Sequence, residues 1–183
     1  MSKNNIDLKI LFNQAMEQKR TKNYFDSIST FNKIAKIQPK VYEVFFNLGN
    51  IFYELKDFDS AILNLEKAID IYKFDPEAYT NLANAFLQKK MYPSAQESLK
   101  KAFNLLPSDS RISNTAGMLN IALGNYNDAK NAFEYTLTLD KDNYLALDQI
   151  GDIFLLMGDY QNGLSYKYKA SGRIIFSNKI EVV

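Results

Sequence analysis

Along most of the chain, apolar residues recur three or four positions apart, the spacing that places them on one face of an α-helix. The stretch Tyr42–Leu55 reads as one such helix and Phe58–Ile71 as the next, each about 14 residues long, with a short turn between them. The same order of large and small residues then returns at a fixed interval. Gly49, Ala83, Gly117 and Gly151 stand 34 residues apart, as do Ala61, Ala95, Ala129 and Gly163. Ala68, Ala102, Thr136 and Ala170 keep the same step, and so does the aromatic series Tyr24, Phe58, Tyr92, Tyr126 and Tyr160. The period holds without insertion or deletion, so the chain is an array of helix pairs.

The small residues fall where two backbones must cross closely, a place with no room for a branched side chain. Large apolar residues such as Leu48, Phe52, Leu65 and Ile69 fill the space around the crossings. Gly124-Asn125 and Gly158-Asp159 place a permissive residue at a helix end and an N-cap directly after it. Asp75-Pro76-Glu77 is a further start signal: a cap, a proline in the first turn, then an acid near the positive end of the helix dipole. One pair cannot bury its own apolar face, so neighbouring pairs are expected to stack.

The residues themselves carry a resemblance. One repeat reads Phe45-x2-Leu48-Gly49-x2-Phe52, then Ala61-x3-Leu65; the next reads Tyr79-x2-Leu82-Ala83-x2-Phe86, then Ala95-x3-Leu99 and Pro107. Further on come Ile150-Gly151-x2-Phe154 and Gly158-Asp159-Tyr160, while Ala15, Tyr24, Phe31 and Pro39 supply a degenerate first copy. This pattern resembles the tetratricopeptide repeat family. The resemblance implies an all-α fold, a right-handed α-solenoid of five helix-turn-helix repeats at 8–41, 42–75, 76–109, 110–143 and 144–177. Residues 1–7 are expected to form an N-terminal segment. A short non-helical C-terminal tail is expected from about 172, with 178–183 lying beyond the last repeat.

The fourth repeat departs from the pattern: Ser113 and Ala116 replace an aromatic and a leucine, Asn120 a phenylalanine, and Thr136 an alanine. The favoured reading is a thinner layer of core; a hinge or a widened groove is the other. The tail is rich in β-branched residues, with Ile174-Ile175-Phe176 and Ile180-Glu181-Val182-Val183 around a polar Ser177-Asn178-Lys179. It is expected to cover the apolar end of the fifth repeat, in its own chain or in another copy.

Composition removes function classes. The chain has no cysteine and no histidine, which excludes disulfides, thiolate nucleophiles, the Ser-His-Asp triad and the common histidine metal sites. No phosphate loop or nucleotide fingerprint is present, so no enzyme activity, cofactor or metal is expected. A net charge of +1 and three arginines (Arg20, Arg111, Arg173) count against nucleic acid as a partner. Nothing resembles a signal peptide or a membrane span, and a cytoplasmic protein without membrane attachment is expected.

Candidate binding residues come from the helix faces that, in the family, line the concave groove. One register reads Asn13, Asn47, Asn81, Thr115 and Gln149; another, one turn on, reads Met16, Asn50, Asn84, Met118 and Asp152. An asparagine amide offers a donor and an acceptor, so it can hold a peptide unit without selecting its side chain. The alternative is that asparagine is simply abundant in this chain. Replacing Asn47 and Asn81 together is expected to weaken binding and leave stability nearly intact. The family's chaperone-tail clamp is incomplete. Asn50, Asn81 and Arg111 match it, but Phe46 and Thr115 stand where two cations belong, and in the preceding frame Phe12 and Met16 replace a lysine and an asparagine. Chaperone tails are therefore not expected partners. Phe12, Phe46 and Tyr53 read either as apolar anchors on the groove wall or as core.

Charge is uneven, +5 over residues 1–41 and −4 over 42–75, which leaves open a basic N-terminal end that attracts an acidic partner or another copy. Self-association through that end or through the tail is the corresponding expectation. The favoured function is a noncatalytic protein–protein interaction scaffold that takes a peptide or protein segment in its groove. The alternatives are an accessory or truncated region of a larger enzyme of glycosyltransferase, sulfotransferase or oxygenase type, and an RNA-binding helical repeat.

Overall fold

The computed structural model describes residues 3–171; the side chains of residues 3–6 lie outside that set, as does the tail from Gly172, where the sequence predicts non-helical chain. The described residues form ten α-helices and no strand: α1 Lys3–Arg20, α2 Tyr24–Ile37, α3 Tyr42–Glu54, α4 Phe58–Ile71, α5 Pro76–Gln88, α6 Tyr92–Leu105, α7 Ser110–Ala122, α8 Tyr126–Leu139, α9 Tyr144–Leu156 and α10 Tyr160–Ala170. α1 starts well before residue 8, so most of the segment set apart as 1–7 is helical and continuous with the first repeat. The chain divides into two compact units, with α1–α6 before the division at Pro107 and α7–α10 after it.

In the first unit α1 packs on α2, α3 on α4 and α5 on α6, and contacts from α2 to α3 and from α4 to α5 join the pairs. Ala15, Phe31, Ile34, Val44, Leu48 and Ile51 are buried in one cluster that spans the first two pairs. The α3–α4 crossing explains Gly49. A Cβ there would lie 2.6 Å from Leu65 Cγ and 3.3 Å from the Ala61 carbonyl, so the leucine side chain takes the space a side chain at 49 would need. In the second unit, Ala129, Phe133, Ala146, Ile150 and Ile153 form the buried cluster shared by α8 and α9, and α10 packs on α9.

Caps follow the sequence in most places. The carboxylates of Asp57, Asp75, Asp109 and Asp159 accept from backbone N–H groups one or two residues inside α4, α5, α7 and α10, and the Asn143 side chain does the same for α9. Asn125 stands at the expected cap of α8 but makes no side-chain cap bond. Gly124 and Gly158 adopt φ values of 77° and 81° in the turns that join α7 to α8 and α9 to α10. The matching turns of the first unit place Lys22, Lys56 and Lys90 at φ 59°, 61° and 58°, in the left-handed region where a Cβ is strained.

The fourth repeat is not left empty. The hydroxyls of Ser113 and Thr136 lie 2.8 Å apart, both buried, and Thr136 also donates to the Ala132 carbonyl at 3.1 Å. A hydrogen-bonded polar pair therefore bridges α7 and α8 where the second and third repeats use an aromatic and an alanine. Burial costs such hydroxyls little once each has a partner.

Candidate functional site

The first helix of each pair in the first unit lines a cavity of about 320 Å³. Lys19 of α1, Asn50, Tyr53 and Glu54 of α3, and Asn81 and Asn84 of α5 surround it. A second hollow, about 630 Å³, shares Lys19 and Glu54 and extends along Asn13, Met16, Glu17 and Arg20 of α1 to Tyr24 at the start of α2. Positions three or four apart on a helix share a face, which is why Asn50, Tyr53 and Glu54, or Asn81 and Asn84, converge here.

Two hydrogen bonds organise the site. The Asn81 Nδ2 donates to Asn50 Oδ1 at 2.9 Å, linking α5 to α3 and leaving the other half of each amide's bonding capacity. Lys19 Nζ donates to Asn47 Oδ1 at 2.7 Å, and Asn47 Nδ2 donates to the Glu43 carbonyl at 2.7 Å. Burial pushes the Lys19 ammonium below its usual range, while the charges of Glu77 and Glu54 oppose that shift. Burial raises the Tyr53 hydroxyl, against a hydrogen bond with Gln88 that lowers it. The result is a half-buried cation, a carboxylate, three amides and an aromatic wall around one hollow.

The sequence-derived residues divide accordingly. Asn50, Tyr53, Asn81 and Asn84 line the smaller cavity, and Asn13 lines the larger one. Asn47 is buried with both ends of its amide engaged inside the unit, which argues against the expectation that replacing Asn47 and Asn81 together leaves stability nearly intact. Phe12 packs edge-on to buried Phe31, with ring centres 5.7 Å apart, on the side of core rather than anchor. Phe46 stacks on Tyr42 at 5.6 Å and an interplanar angle of 18°. The remaining candidates belong to the second unit. Thr115 is buried and donates to the Arg111 carbonyl at 2.9 Å, Arg111 grips Asp109 at 2.8 Å, and Gln149 is half-buried on α9. Lys19 and Glu54 are absent from the sequence-derived set. Continuing the ladder one further turn, from Asn13 and Met16 to Lys19, or from Asn47 and Asn50 to Tyr53 and Glu54, reaches them.

The rings of Phe46, Tyr42, Tyr72 and Phe74 form a continuous contact series with centre separations of 5.6, 5.6 and 5.9 Å. The Tyr42 hydroxyl donates to Asp75, the residue that caps α5. Burial, then this bond, raise the phenol well above its ordinary value. An unfolded tyrosine ionises near pH 10, about where the folded one still keeps its proton. The stabilisation is complete below that pH and is lost as pH rises through the folded value. Urea midpoints measured between about pH 9 and pH 11 are expected to fall more steeply for the parent than for Tyr42→Phe. Equal slopes would mean that Tyr42 titrates as an exposed phenol.

Residues 49–90 match the family model described as TPR repeat, and residues 76–109 the one described as Tetratricopeptide repeat. The chain belongs to the tetratricopeptide repeat family. The BBSome complex member BBS4 of Bos taurus is 34% identical over 143 residues, covering 78% of this chain and 27% of that protein, so the chain spans about a quarter of that relative's length. Among solved structures, a tetratricopeptide repeat protein from Parabacteroides merdae has a TM-score of 0.82 at 16% identity, with 93% of this chain and 66% of that one covered. MamA from Desulfovibrio magneticus RS-1 has a TM-score of 0.79 at 16% identity, with 90% and 93% covered. At such identities the likeness shows the fold, an all-α tetratricopeptide solenoid. Tetratricopeptide repeats act generally as protein-interaction scaffolds. Among the described residues no helix is long and apolar enough to cross a membrane, and no cluster of acidic side chains could hold a metal ion.

Proposed function

We propose that this tetratricopeptide chain is a noncatalytic adaptor whose first unit holds an extended segment of a partner protein against α1, α3 and α5. The observation that carries the reading is the convergence of Asn50, Asn81, Asn84, Tyr53, Lys19 and Glu54 on one hollow. Amides pair with peptide N–H and C=O groups whatever the side chains, the tyrosine ring offers apolar contact, and the Lys19–Glu54 pair of opposite charges favours a segment that is itself of mixed charge. Asn47 acts from beneath by holding the Lys19 ammonium in place. The likeness to a BBSome complex member supports a role as one component of a larger protein assembly.

The test begins with peptides selected from a random display library on the parent protein. Their affinities are then measured by calorimetry for the parent and for Asn81→Ala/Asn84→Ala. Each lost hydrogen bond is expected to cost about 0.5–1.5 kcal/mol, so the double change should weaken binding roughly ten-fold. Thermal stability should stay close to that of the parent, because neither amide is fully buried. Peptides that bind both proteins equally would place the binding surface elsewhere.

A further inference from the structure

The side of α5 turned away from Asn81 and Asn84 forms the floor of another recess in the first unit. At about 100° per residue, Tyr79, Leu82 and Phe86 fall within about 60° of one another and roughly opposite the two asparagines. All three are buried, and they floor a hollow of about 360 Å³ between α4 and α6. Its rim is charged. Glu66 and Asp70 stand one turn apart on α4, and Glu97 and Lys101 one turn apart on α6. Lys101 is already engaged: its Nζ pairs with Glu97 at 3.2 Å and lies 5.9 Å from the centre of the Tyr79 ring. The side chains of Glu66 and Asp70 have no ion pair or hydrogen bond among the described residues, so the rim sets three carboxylates against one ammonium. Tyr79 is nine-tenths buried, and its hydroxyl has no hydrogen-bond partner among the described residues. A polar group placed so deep costs free energy until a ligand or water satisfies it.

The repeat framework does not impose this charge. One period earlier the floor recurs as Phe45, Leu48 and Phe52, and Lys67 stands over Phe45 as Lys101 stands over Tyr79. At the registers of Glu66, Asp70 and Glu97, however, that junction has Asn32, Lys36 and Leu63. Stacking of the pairs therefore does not require the three carboxylates. We propose that the hollow receives an arginine side chain of a partner protein. Its stem packs on Leu82 and Phe86, while the guanidinium meets Glu66 and Asp70 and donates to the Tyr79 hydroxyl. A guanidinium suits this setting because its five donors serve several acceptors at once and its plane stacks on aromatic rings. Among the described residues the acidic side chains do not converge as metal ligands would, and their spread fits a wider cation. The site is separate from the amide-lined cavity, so α5 serves one on each side.

NMR titration of the nitrogen-15-labelled full-length chain tests the proposal, with acetyl-Ala-Arg-Ala-amide and the same peptide carrying citrulline as probes. Amide shifts are expected to move around Glu66, Asp70, Glu97 and Ser98. The citrulline peptide should bind about ten-fold more weakly, because its neutral group forms no ion pair. Glu66→Gln/Asp70→Asn should cause a similar loss, and added salt should weaken binding to the parent. Asn81→Ala/Asn84→Ala should leave the affinity unchanged, which separates this site from the groove. Equal affinity for the two peptides, no loss in Glu66→Gln/Asp70→Asn, or shifts that gather around Asn81 and Asn84 would each overturn the proposal. Circular dichroism checks that the variants are folded, and the comparison of the two peptides on the parent needs no variant.

Discussion

Phe133→Ala is expected to destabilise the second unit by about 3–5 kcal/mol, the range for deleting a fully buried aromatic side chain from a core. The ring has no exposed surface and lies in the cluster formed with Ala129, Ala146, Ile150 and Ile153. It also occupies the space that glycine leaves at 117, where a Cβ would meet three ring atoms at 2.6, 2.7 and 2.8 Å. Gly117→Ala alone is therefore expected to cost about 1–3 kcal/mol through overpacking, reduced by up to about 1 kcal/mol because alanine is the better helix former. In the double variant the new methyl enters the cavity left by the ring, so the two losses should not add. Urea denaturation of the two single variants and the double variant measures that coupling. Additive losses would show that the collision between position 117 and the ring is not what fixes the glycine.

That pair also shows what the sequence makes legible. The spacing of Gly49, Gly117 and Gly151 announces close crossings, but not what fills the gap. The partner is Leu65 in one repeat, Phe133 in another and the stem of Lys167 in a third. Periodicity suffices for helix existence and order because each pair must bury a stripe of fixed spacing. It does not separate groove from core on the first helix of a pair, where residues one position apart differ by about 100°. Asn47 and Asn50 read alike as asparagines at helical spacing, yet one is locked beneath Lys19 and the other lines the cavity. Lysine at the end of a helix reads as a solvated charge until tertiary packing places it. Ser113 and Thr136 were legible as a departure from the pattern, but the bridge between them depends on a contact across two helices.

Asn47→Ala is expected to lower the stability of the first unit by about 1–3 kcal/mol, since it strips a half-buried ammonium of its acceptor and exposes no compensating group. The buried amide holds Lys19 Nζ at 2.7 Å on one side and the Glu43 carbonyl at 2.7 Å on the other. The loss should reach binding as well, because Lys19 lines both hollows and would be free to leave them. Lys19→Met removes the opposite partner and leaves Asn47 Oδ1 without its donor, so it should cost a comparable amount. Combining the two changes should cost less than their sum, as the surviving partner no longer stands unpaired. Denaturant midpoints of the three variants supply the comparison. A change in Asn47→Ala smaller than about 0.5 kcal/mol would return it to the class of ordinary surface substitutions.

The left-handed turns of the first unit have a further consequence, in how the chain meets proteases. Lys22, Lys56 and Lys90 are exposed at the tips joining the two helices of a pair, whereas Gly124 and Gly158 occupy those tips in the second unit. Exposed turns are where proteolytic nicks concentrate. A lysine-directed enzyme therefore finds a cleavable bond at the tip of every helix pair before Pro107 and at neither tip after it. The residue chosen to turn the chain also decides which half of it can be cut between its paired helices.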